Sequence, residues 1–345
     1  MNAETFKFDG GPVLRIYGNA QVRHHFAAEY REALSSSTSG ADLTVVFGSD
    51  GEDRADCGEW VAGGHKTMRW RARLCDPEAT TLDAWIRLGG WPRGFGLSLV
   101  QGYFVEPLLS IATARSGAVM LPGAAFEVDG SALVVIGLSG SGKTSLSMQA
   151  MAFGLPVLGD DQIILTPDGL CRPFPRRLRL YPDLQSRVPL AYQRLPRSAR
   201  ASLQIRRAVR SASRGWLGPS MALSRSNLGQ TSLPGPKPVG GIILLVRSDE
   251  PGEPRRVKAT TGEAIDFGIA ALREQRRRLA ACGDAWAACL KATERVEAGF
   301  LGHAFACIPA TRIVVPTPFG SRQLLELGRS LGLAGSAPEA GAVAS

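Results

Sequence analysis

Apolar residues occur along the chain in short runs of two kinds, which predict alternating strands and helices. Continuous or alternating runs predict strands at residues 13–17, 43–47, 67–74, 118–128, 132–136, 241–246 and 312–316. Apolar residues at helical spacing predict helices at residues 20–34, 97–114, 143–153, 266–279, 285–298 and 321–331. Such alternation is typical of the α/β class.

The pattern weakens in several places, which suggests how the chain is organised. Residues 1–95 are predicted to form an α/β lead-in with a polar loop at 48–64, and residues 96–333 a second domain. That domain contains a basic insert at 172–240 without clear periodicity. The tail at 334–345 consists of small residues, so we expect it to be disordered.

Positive charge is concentrated in the insert. The chain carries a net charge of +9, and twelve arginines lie between Arg172 and Arg214 with a single acid, Asp183. Such a stretch attracts phosphate groups, acidic peptides or nucleic acid, although a solvated basic surface is an equally good interpretation. Few aromatic residues are interleaved with the arginines, which argues against a platform for single-stranded nucleic acid.

Other features of the sequence predict a cytoplasmic protein that is not associated with a membrane. No stretch of the length needed for a membrane span is free of charged and polar residues, and the start of the chain lacks an apolar signal core. The six cysteines form no C-x-x-C pair, so we expect reduced thiols without a disulfide framework or zinc site.

One segment carries a specific chemical pattern, G-x-x-x-x-G-K-[ST], between a predicted strand and a predicted helix. The glycines allow main-chain N–H groups to approach phosphate oxygens, and the helix N-terminus adds partial positive charge. The lysine neutralises the β- and γ-phosphates, and the threonine hydroxyl can bind Mg²⁺. The predicted nucleotide-binding residues are Gly137, Leu138, Ser139, Gly140, Ser141, Gly142, Lys143, Thr144 and Ser145. The pattern predicts a site for ATP and Mg²⁺.

Two adjacent carboxylates, Asp160 and Asp161, follow the next short apolar run. A site for Mg²⁺ and phosphate needs a nearby carboxylate, and a second one can accept the proton of an attacking hydroxyl. Taken alone, the pair could also be a turn with two solvated acids.

The run from Gly137 to Asp161 resembles the catalytic domain of the HPr kinase/phosphorylase family and its relatives, which include tailoring kinases of peptide-modification clusters. Asp160 lies seventeen residues after Lys143, the spacing found in that family. The predicted hairpin at Asp129-Gly130 also matches the family layout. The resemblance covers residues 97–185 well. It implies a P-loop core like that of phosphoenolpyruvate carboxykinase, a mixed sheet flanked by helices.

The resemblance also implies roles for individual residues. Lys143 would contact phosphate and Thr144 would hold Mg²⁺, while Asp160 would be the general base and Asp161 a second Mg²⁺ contact. The family commonly has a histidine on the strand before the hairpin, where this chain has Pro122. A proline can neither share a proton nor hydrogen-bond a carboxylate.

A kinase that phosphorylates a hydroxyl is therefore the predicted function. The acceptor would be a serine of a peptide or protein, or a small molecule, and an acidic one would suit the basic insert. The lead-in at residues 1–95 and the insert are the expected acceptor-binding regions. Arginines of the insert that could contact phosphate or the acceptor are Arg176, Arg177 and Arg179. A homo-oligomer would also be compatible with the resemblance, since the HPr kinase family forms ring-shaped assemblies.

Two other functions stay open at this point. Pro122 favours a nucleotide-binding regulatory protein with little catalysis. Alternatively, a different P-loop NTPase would take its magnesium acid from Asp249, just beyond the apolar run at residues 241–246.

Overall fold

A computed structural model of the protein describes residues 2–36, 40–48, 58–214, 216, 220–317 and 319–333. The described strands are β1 (Ala3–Lys7), β2 (Val13–Tyr17), β3 (Leu34–Ser35), β4 (Leu43–Phe47), β5 (Trp60–His65), β6 (Met68–Leu74), β7 (Leu82–Gly89), β8 (Val119–Leu121), β9 (Gly123–Val128), β10 (Ser131–Gly137), β11 (Val157–Gly159), β12 (Ile163–Leu165), β13 (Leu170–Arg172), β14 (Leu178–Leu180), β15 (Met221–Leu223), β16 (Lys237–Ser248), β17 (Arg255–Ala259) and β18 (Ala310–Pro316). The described α-helices are α1 (Ala20–Glu29), α2 (Arg93–Val100), α3 (Glu106–Arg115), α4 (Lys143–Ala152), α5 (Leu184–Arg187), α6 (Pro189–Arg194), α7 (Arg197–Ala212), α8 (Thr261–Ala280), α9 (Asp284–Ala304) and α10 (Ser321–Ser330). This content confirms the α/β class, with mixed sheets flanked by helices.

The chain forms two compact units, each assembled from three separate segments. Unit 1 contains the residues up to Pro122, then Ile164–Arg176 and Ile265–Ala306. Unit 2 contains Gly123–Ile163, Arg177–Ala264 and the described residues from Cys307 onward. This division differs from the expected boundary at residues 95 and 96, because later helices complete the core around the N-terminal sheet.

Unit 1 is built on a seven-stranded mixed sheet with the order β3-β1-β2-β4-β7-β6-β5. Strands β2, β4 and β7 run parallel to one another, and the flanking pairs are antiparallel. Alternate residues of these strands are buried, such as Leu14 and Ile16 of β2, and they share a core with α1, α3 and α9. Burial of one side of each strand is the pattern that period-two apolar residues predict.

Buried charges in unit 1 have partners. The guanidinium of Arg276 donates to both carboxylate oxygens of Glu297, at 2.7 and 2.5 Å, and to the hydroxyl of Ser110 at 2.8 Å. The carboxylate of Glu106 accepts hydrogen bonds from Tyr30 and from Gln101. These bonds offset the cost of removing charges from water.

A long apolar helical segment runs from Arg93 to Arg115 and consists of α2, a π-helical turn at Gln101–Val105 and α3. By length and composition it could cross a membrane, with a mean hydropathy of 1.3, but 72% of its most apolar window is buried inside the protein. Such burial is typical of a core helix. The predicted single helix at residues 97–114 therefore has an irregular turn in its middle, and Pro107 lies in the first turn of α3.

Unit 2 contains a sheet in which six strands have the order β11-β9-β10-β16-β18-β17. Strands β10, β16 and β18 are parallel to one another, and the outer pairings are antiparallel. The predicted hairpin is confirmed: β9 and β10 are joined at Asp129 and Gly130, which have φ angles of +48° and +79°. Helix α4 packs against α6 and α10.

Several local predictions are wrong. The run at residues 118–128 is two strands, because Pro122 separates β8 from β9. The loop predicted at 48–64 includes strand β5 from Trp60 onward, and residues 49–57 lie outside the described residues. The insert contains helix α7, whose period is hard to see because only Ala199 and Leu203 on it are buried. The tail predicted at 334–345 also lies outside the described residues.

The expectation of reduced thiols throughout is wrong at Cys75, which is disulfide-bonded. The cysteines with free thiols are Cys171, Cys282, Cys289 and Cys307. The absence of C-x-x-C pairs does not exclude a disulfide between cysteines that are far apart in the sequence, because a disulfide depends on the distance between residues in space.

Candidate functional site

The glycine-rich loop lies where the sequence predicts it, between β10 and α4 of unit 2. Strand β10 is paired on both sides, antiparallel to β9 and parallel to β16, so its end at Gly137 is held in place. Gly140 and Gly142 have φ angles of +78° and +112°, a region that side chains strongly disfavour. No side chain caps the N-terminus of α4, so its first N–H groups are free to bind an anion.

Close packing inside the loop explains why its first residue is glycine. A Cβ atom at Gly137 would lie 2.4 Å from the hydroxyl oxygen of Ser141 and 3.0 Å from the carbonyl oxygen of Leu245. Ser141 is buried, and its hydroxyl has no hydrogen-bond partner among the described residues. A buried polar atom without a partner is uncommon and is often found at a functional site.

The Lys143 side chain contacts the main chain of its own loop. Its ammonium group donates to the carbonyl oxygens of Gly137 and, at 3.1 Å, of Leu138. Burial lowers the pKa of Lys143, and the carboxylates of Asp161 and Asp160 partly oppose this effect. Burial thus disfavours the charged form of Lys143, whereas the two nearby carboxylates favour it.

The loop opens into a cavity of about 410 Å³ within unit 2. Residues 139–145 line one part of it, and residues around β14 and α5, among them Tyr181, line another. Its charged lining residues are Lys143, Asp161, Asp183, Arg187, Arg210 and Arg247. Asp183 and Arg187 form an ion pair at 2.7 Å. The remaining excess of positive charge suits an anionic ligand.

The two acidic residues follow β11 but occupy different environments. Asp161 lines the cavity, and its carbonyl oxygen accepts a hydrogen bond of 3.1 Å from the Gly123 N–H. Asp160 is only 6% exposed and is not among the lining residues. Both of its carboxylate oxygens lack a hydrogen-bond partner among the described residues. Of the two acids, Asp161 is therefore the one that lines the loop cavity.

Burial, followed by the charge of Asp161, raises the pKa of Asp160 to about 7. Ser147, Arg225 and Lys143 act in the opposite direction. The Ser147 hydroxyl donates its hydrogen bond to the carbonyl oxygen of Lys143 at 3.2 Å, so it affects Asp160 as a nearby dipole. A pKa raised toward neutrality suits a group that accepts and releases a proton.

A buried clamp, formed by Arg225 and Gln230, holds the strand that carries these acids. The guanidinium of Arg225 donates to the carbonyl oxygens of Val157 at 2.6 Å and Leu158 at 3.3 Å. The amide of Gln230 accepts from the Val157 N–H and donates to the Val157 carbonyl oxygen, both at 3.0 Å. Sequence reasoning missed this clamp because its residues lie some seventy positions beyond β11.

The other predicted residues lie elsewhere. Arg176 belongs to unit 1, where it forms an ion pair of 3.1 Å with buried Glu106. Arg177 and Arg179 belong to unit 2 but are not among the residues that line the cavity. Asp249 is exposed just after β16 and also does not line it, whereas Arg247, missed from sequence, does.

The donors in the cavity fit a magnesium ion bound together with phosphate. Thr144 and Asp161 both line the cavity and offer the oxygen ligands that Mg²⁺ prefers. Within the described residues, no group of three or more His, Cys, Asp and Glu side chains could hold a metal by itself. Mg²⁺ at nucleotide sites is commonly bound by one or two protein oxygens plus phosphates and water, so such a group is not required.

No protein-family model matches the sequence, and a search of curated proteins finds no significant match.

Proposed function

We propose that the protein binds ATP with Mg²⁺ at the loop and transfers the γ-phosphoryl group to a hydroxyl. The observation that carries this proposal is the glycine-rich loop between β10 and α4, open to a cavity that Asp161 also lines. Main-chain N–H groups at the start of α4 would bind phosphate oxygens. The resemblance to the HPr kinase/phosphorylase family agrees with this chemistry.

Each residue then has a separate task. The Lys143 ammonium would exchange two neutral carbonyl oxygens for charged phosphate oxygens, which bind it more strongly. Thr144 and Asp161 would hold Mg²⁺, which neutralises charge that develops on the phosphates. The acceptor oxygen forms a bond to the γ-phosphorus, the bond to the bridging oxygen of ADP breaks, and the hydroxyl proton goes to Asp160. A pKa near neutrality suits Asp160 for that role.

A second function, nucleotide-dependent regulation with little turnover, is favoured by the burial of Asp160. Because this carboxylate is 6% exposed and does not line the cavity, it would have to become accessible to receive a proton. A protein that binds ATP without transferring phosphate would have no such requirement.

The test is transfer of label from γ-labelled ATP, with Mg²⁺, to acceptors in an extract of the source cell. Lys143→Ala should lower transfer about 100- to 1000-fold, because it removes the cation that balances developing phosphate charge. Lys237→Ala, which removes an ion pair with Glu127 on the same sheet, should leave transfer unchanged. Binding of ATP by the wild type without transfer would favour the regulatory function, and absence of ATP binding would end both proposals.

A further inference from the structure

A second hollow adjoins the loop cavity in unit 2. It has a volume of about 340 Å³ and is lined by residues in and just before α5 and by residues in and just after α7. The two hollows share Asp183 and Arg210 as lining residues, so they lie next to each other. A molecule bound in the second hollow would therefore lie beside the cavity in which the proposed phosphoryl transfer takes place.

Arginines dominate the lining of this hollow. Arg207 and Arg210 are three residues apart on α7 and thus share one side of the helix, and Arg214 follows the end of the helix. All three are exposed, and none has an ion-pair partner among the described residues. The only carboxylate among the lining residues is that of Asp183, which is already paired with Arg187.

The two hollows differ in the net charge that would remain once ATP and Mg²⁺ are bound. The loop cavity is lined by four cations and two carboxylates, an excess of two positive charges. ATP with one Mg²⁺ carries about two negative charges, which would neutralise that excess. The second hollow adds Arg207 and Arg214 but no further carboxylate. With the nucleotide bound, positive charge would therefore remain in the second hollow alone.

We infer that the hydroxyl acceptor carries a carboxylate or phosphate group, which Arg207 and Arg214 bind in the second hollow. The guanidinium fork matches both of these anions with paired hydrogen bonds. Arg210, shared by the two hollows, would contact the acceptor where it enters the transfer cavity. The inference rests on the proposed function, since it assigns the substrate class of the same site.

The probes are a fluorescent peptide Glu-Glu-Ser-Glu-Glu, its uncharged counterpart Gln-Gln-Ser-Gln-Gln, and glycerol phosphate as a competitor. Binding is measured by fluorescence anisotropy with the full chain, Mg²⁺ and a non-hydrolysable ATP analogue. The acidic peptide should bind at least about tenfold more tightly than its counterpart. Arg207→Gln/Arg214→Gln should remove most of that difference. Displacement of the peptide by glycerol phosphate at low concentration would assign a small acceptor rather than a peptide.

Helix α7 offers a matched control, because Arg197 and Arg200 lie on the same helix but do not line the hollow. Arg197→Gln/Arg200→Gln lowers the net charge equally and should leave peptide binding within about twofold, because neither residue lines the hollow. Equal loss in both double variants would show only general attraction to a basic surface and would overturn the inference. Failure of both the acidic peptide and glycerol phosphate to bind would also overturn it.

ATP binding, measured in parallel, separates this inference from the proposed function. Arg207→Gln/Arg214→Gln should bind the ATP analogue as the wild type does, because neither residue lines the loop cavity. Loss of acidic-peptide selectivity with ATP binding intact would support the acceptor site. If the wild type binds no nucleotide at all, the proposed function fails, and the inference that depends on it is withdrawn.

Discussion

Two buried charged sites, the Arg276–Glu297 pair of unit 1 and Asp160 of unit 2, have different surroundings. In unit 1, Arg276 and Glu297 are almost fully buried and satisfy each other through two hydrogen bonds. In unit 2, Asp160 is buried just after β11, and its carboxylate oxygens have no hydrogen-bond partner among the described residues. The ion pair of unit 1 stabilises its core. The burial of Asp160 without a partner disfavours the charged form of this acid, so its ionisation lowers the stability of the protein. Strongly shifted pKa values of this kind are common at functional sites.

The largest expected effect tests the paired charges of unit 1. Arg276→Met leaves the Glu297 carboxylate buried without its cation, which should lower the free energy of unfolding by about 3–5 kcal/mol. Burial raises the pKa of Glu297, and Arg276 partly opposes this shift. Removing Arg276 would therefore raise the pKa of Glu297 further. The loss should therefore be greater at pH 8 than at pH 5, because only the ionised carboxylate is penalised. Urea unfolding at both pH values measures it.

The same helix provides the control for this variant. Arg273 pairs with Glu294 at 2.8 Å, but its side chain is 66% exposed, so Arg273→Met should cost less than about 1 kcal/mol. Arg276→Met/Glu297→Leu should recover much of the lost stability, since it removes the buried charge as well. A loss below about 1 kcal/mol for Arg276→Met would mean that the pairing does not distinguish unit 1.

The next effect tests the unpaired acid of unit 2. Since burial raises the pKa of Asp160 from 3.8 to about 7, the folded protein holds a proton there that the unfolded chain releases above pH 4. Ionised Asp160 therefore destabilises the wild type as pH rises through 7. Asp160→Asn should be more stable than wild type at pH 8, by up to about 4 kcal/mol, and the gain should shrink at pH 5 and vanish below pH 4.

Urea unfolding without Mg²⁺ or nucleotide checks this prediction. Asp129→Asn is the matched variant, because Asp129 is exposed in the β9–β10 turn and asparagine accepts its positive φ angle. Its stability should follow that of the wild type across the pH range. An Asp160→Asn variant that is no more stable than wild type at pH 8 would show that the ionised Asp160 carboxylate does not lower the stability of the wild type.

The smallest expected effect concerns the clamp on β11. Arg225→Met removes the donors to the carbonyl oxygens of Val157 and Leu158, which should cost about 1–3 kcal/mol in the free energy of unfolding. Because Arg225 also lowers the pKa of Asp160, the variant should lose more stability between pH 5 and pH 8 than the wild type loses. Arg194→Met, an exposed arginine of α6, should show neither change.

The sequence predicted the parts of the site that are local and missed those that are assembled at a distance. The strand, loop and helix around Gly137 follow from short-range rules on apolar runs and glycines. Arg225 and Arg210 could not be found in this way, since tertiary folding alone brings them to β11 and to the loop cavity. Arg176 illustrates the reverse case: its sequence neighbours indicated a phosphate contact, but it forms an ion pair with Glu106 in unit 1.

The division of the chain into interleaved segments has a consequence for how the protein is made. Unit 1 obtains its last segment from residues 265–306, and unit 2 obtains its last segment only after them. Strand β18, which pairs with β16 and so supports the sheet that carries the loop, is synthesised after residues 265–306. Neither unit can therefore complete its core on the ribosome until the segments after residue 265 have emerged. A premature stop anywhere before residue 265 would deprive both units of their closing segments.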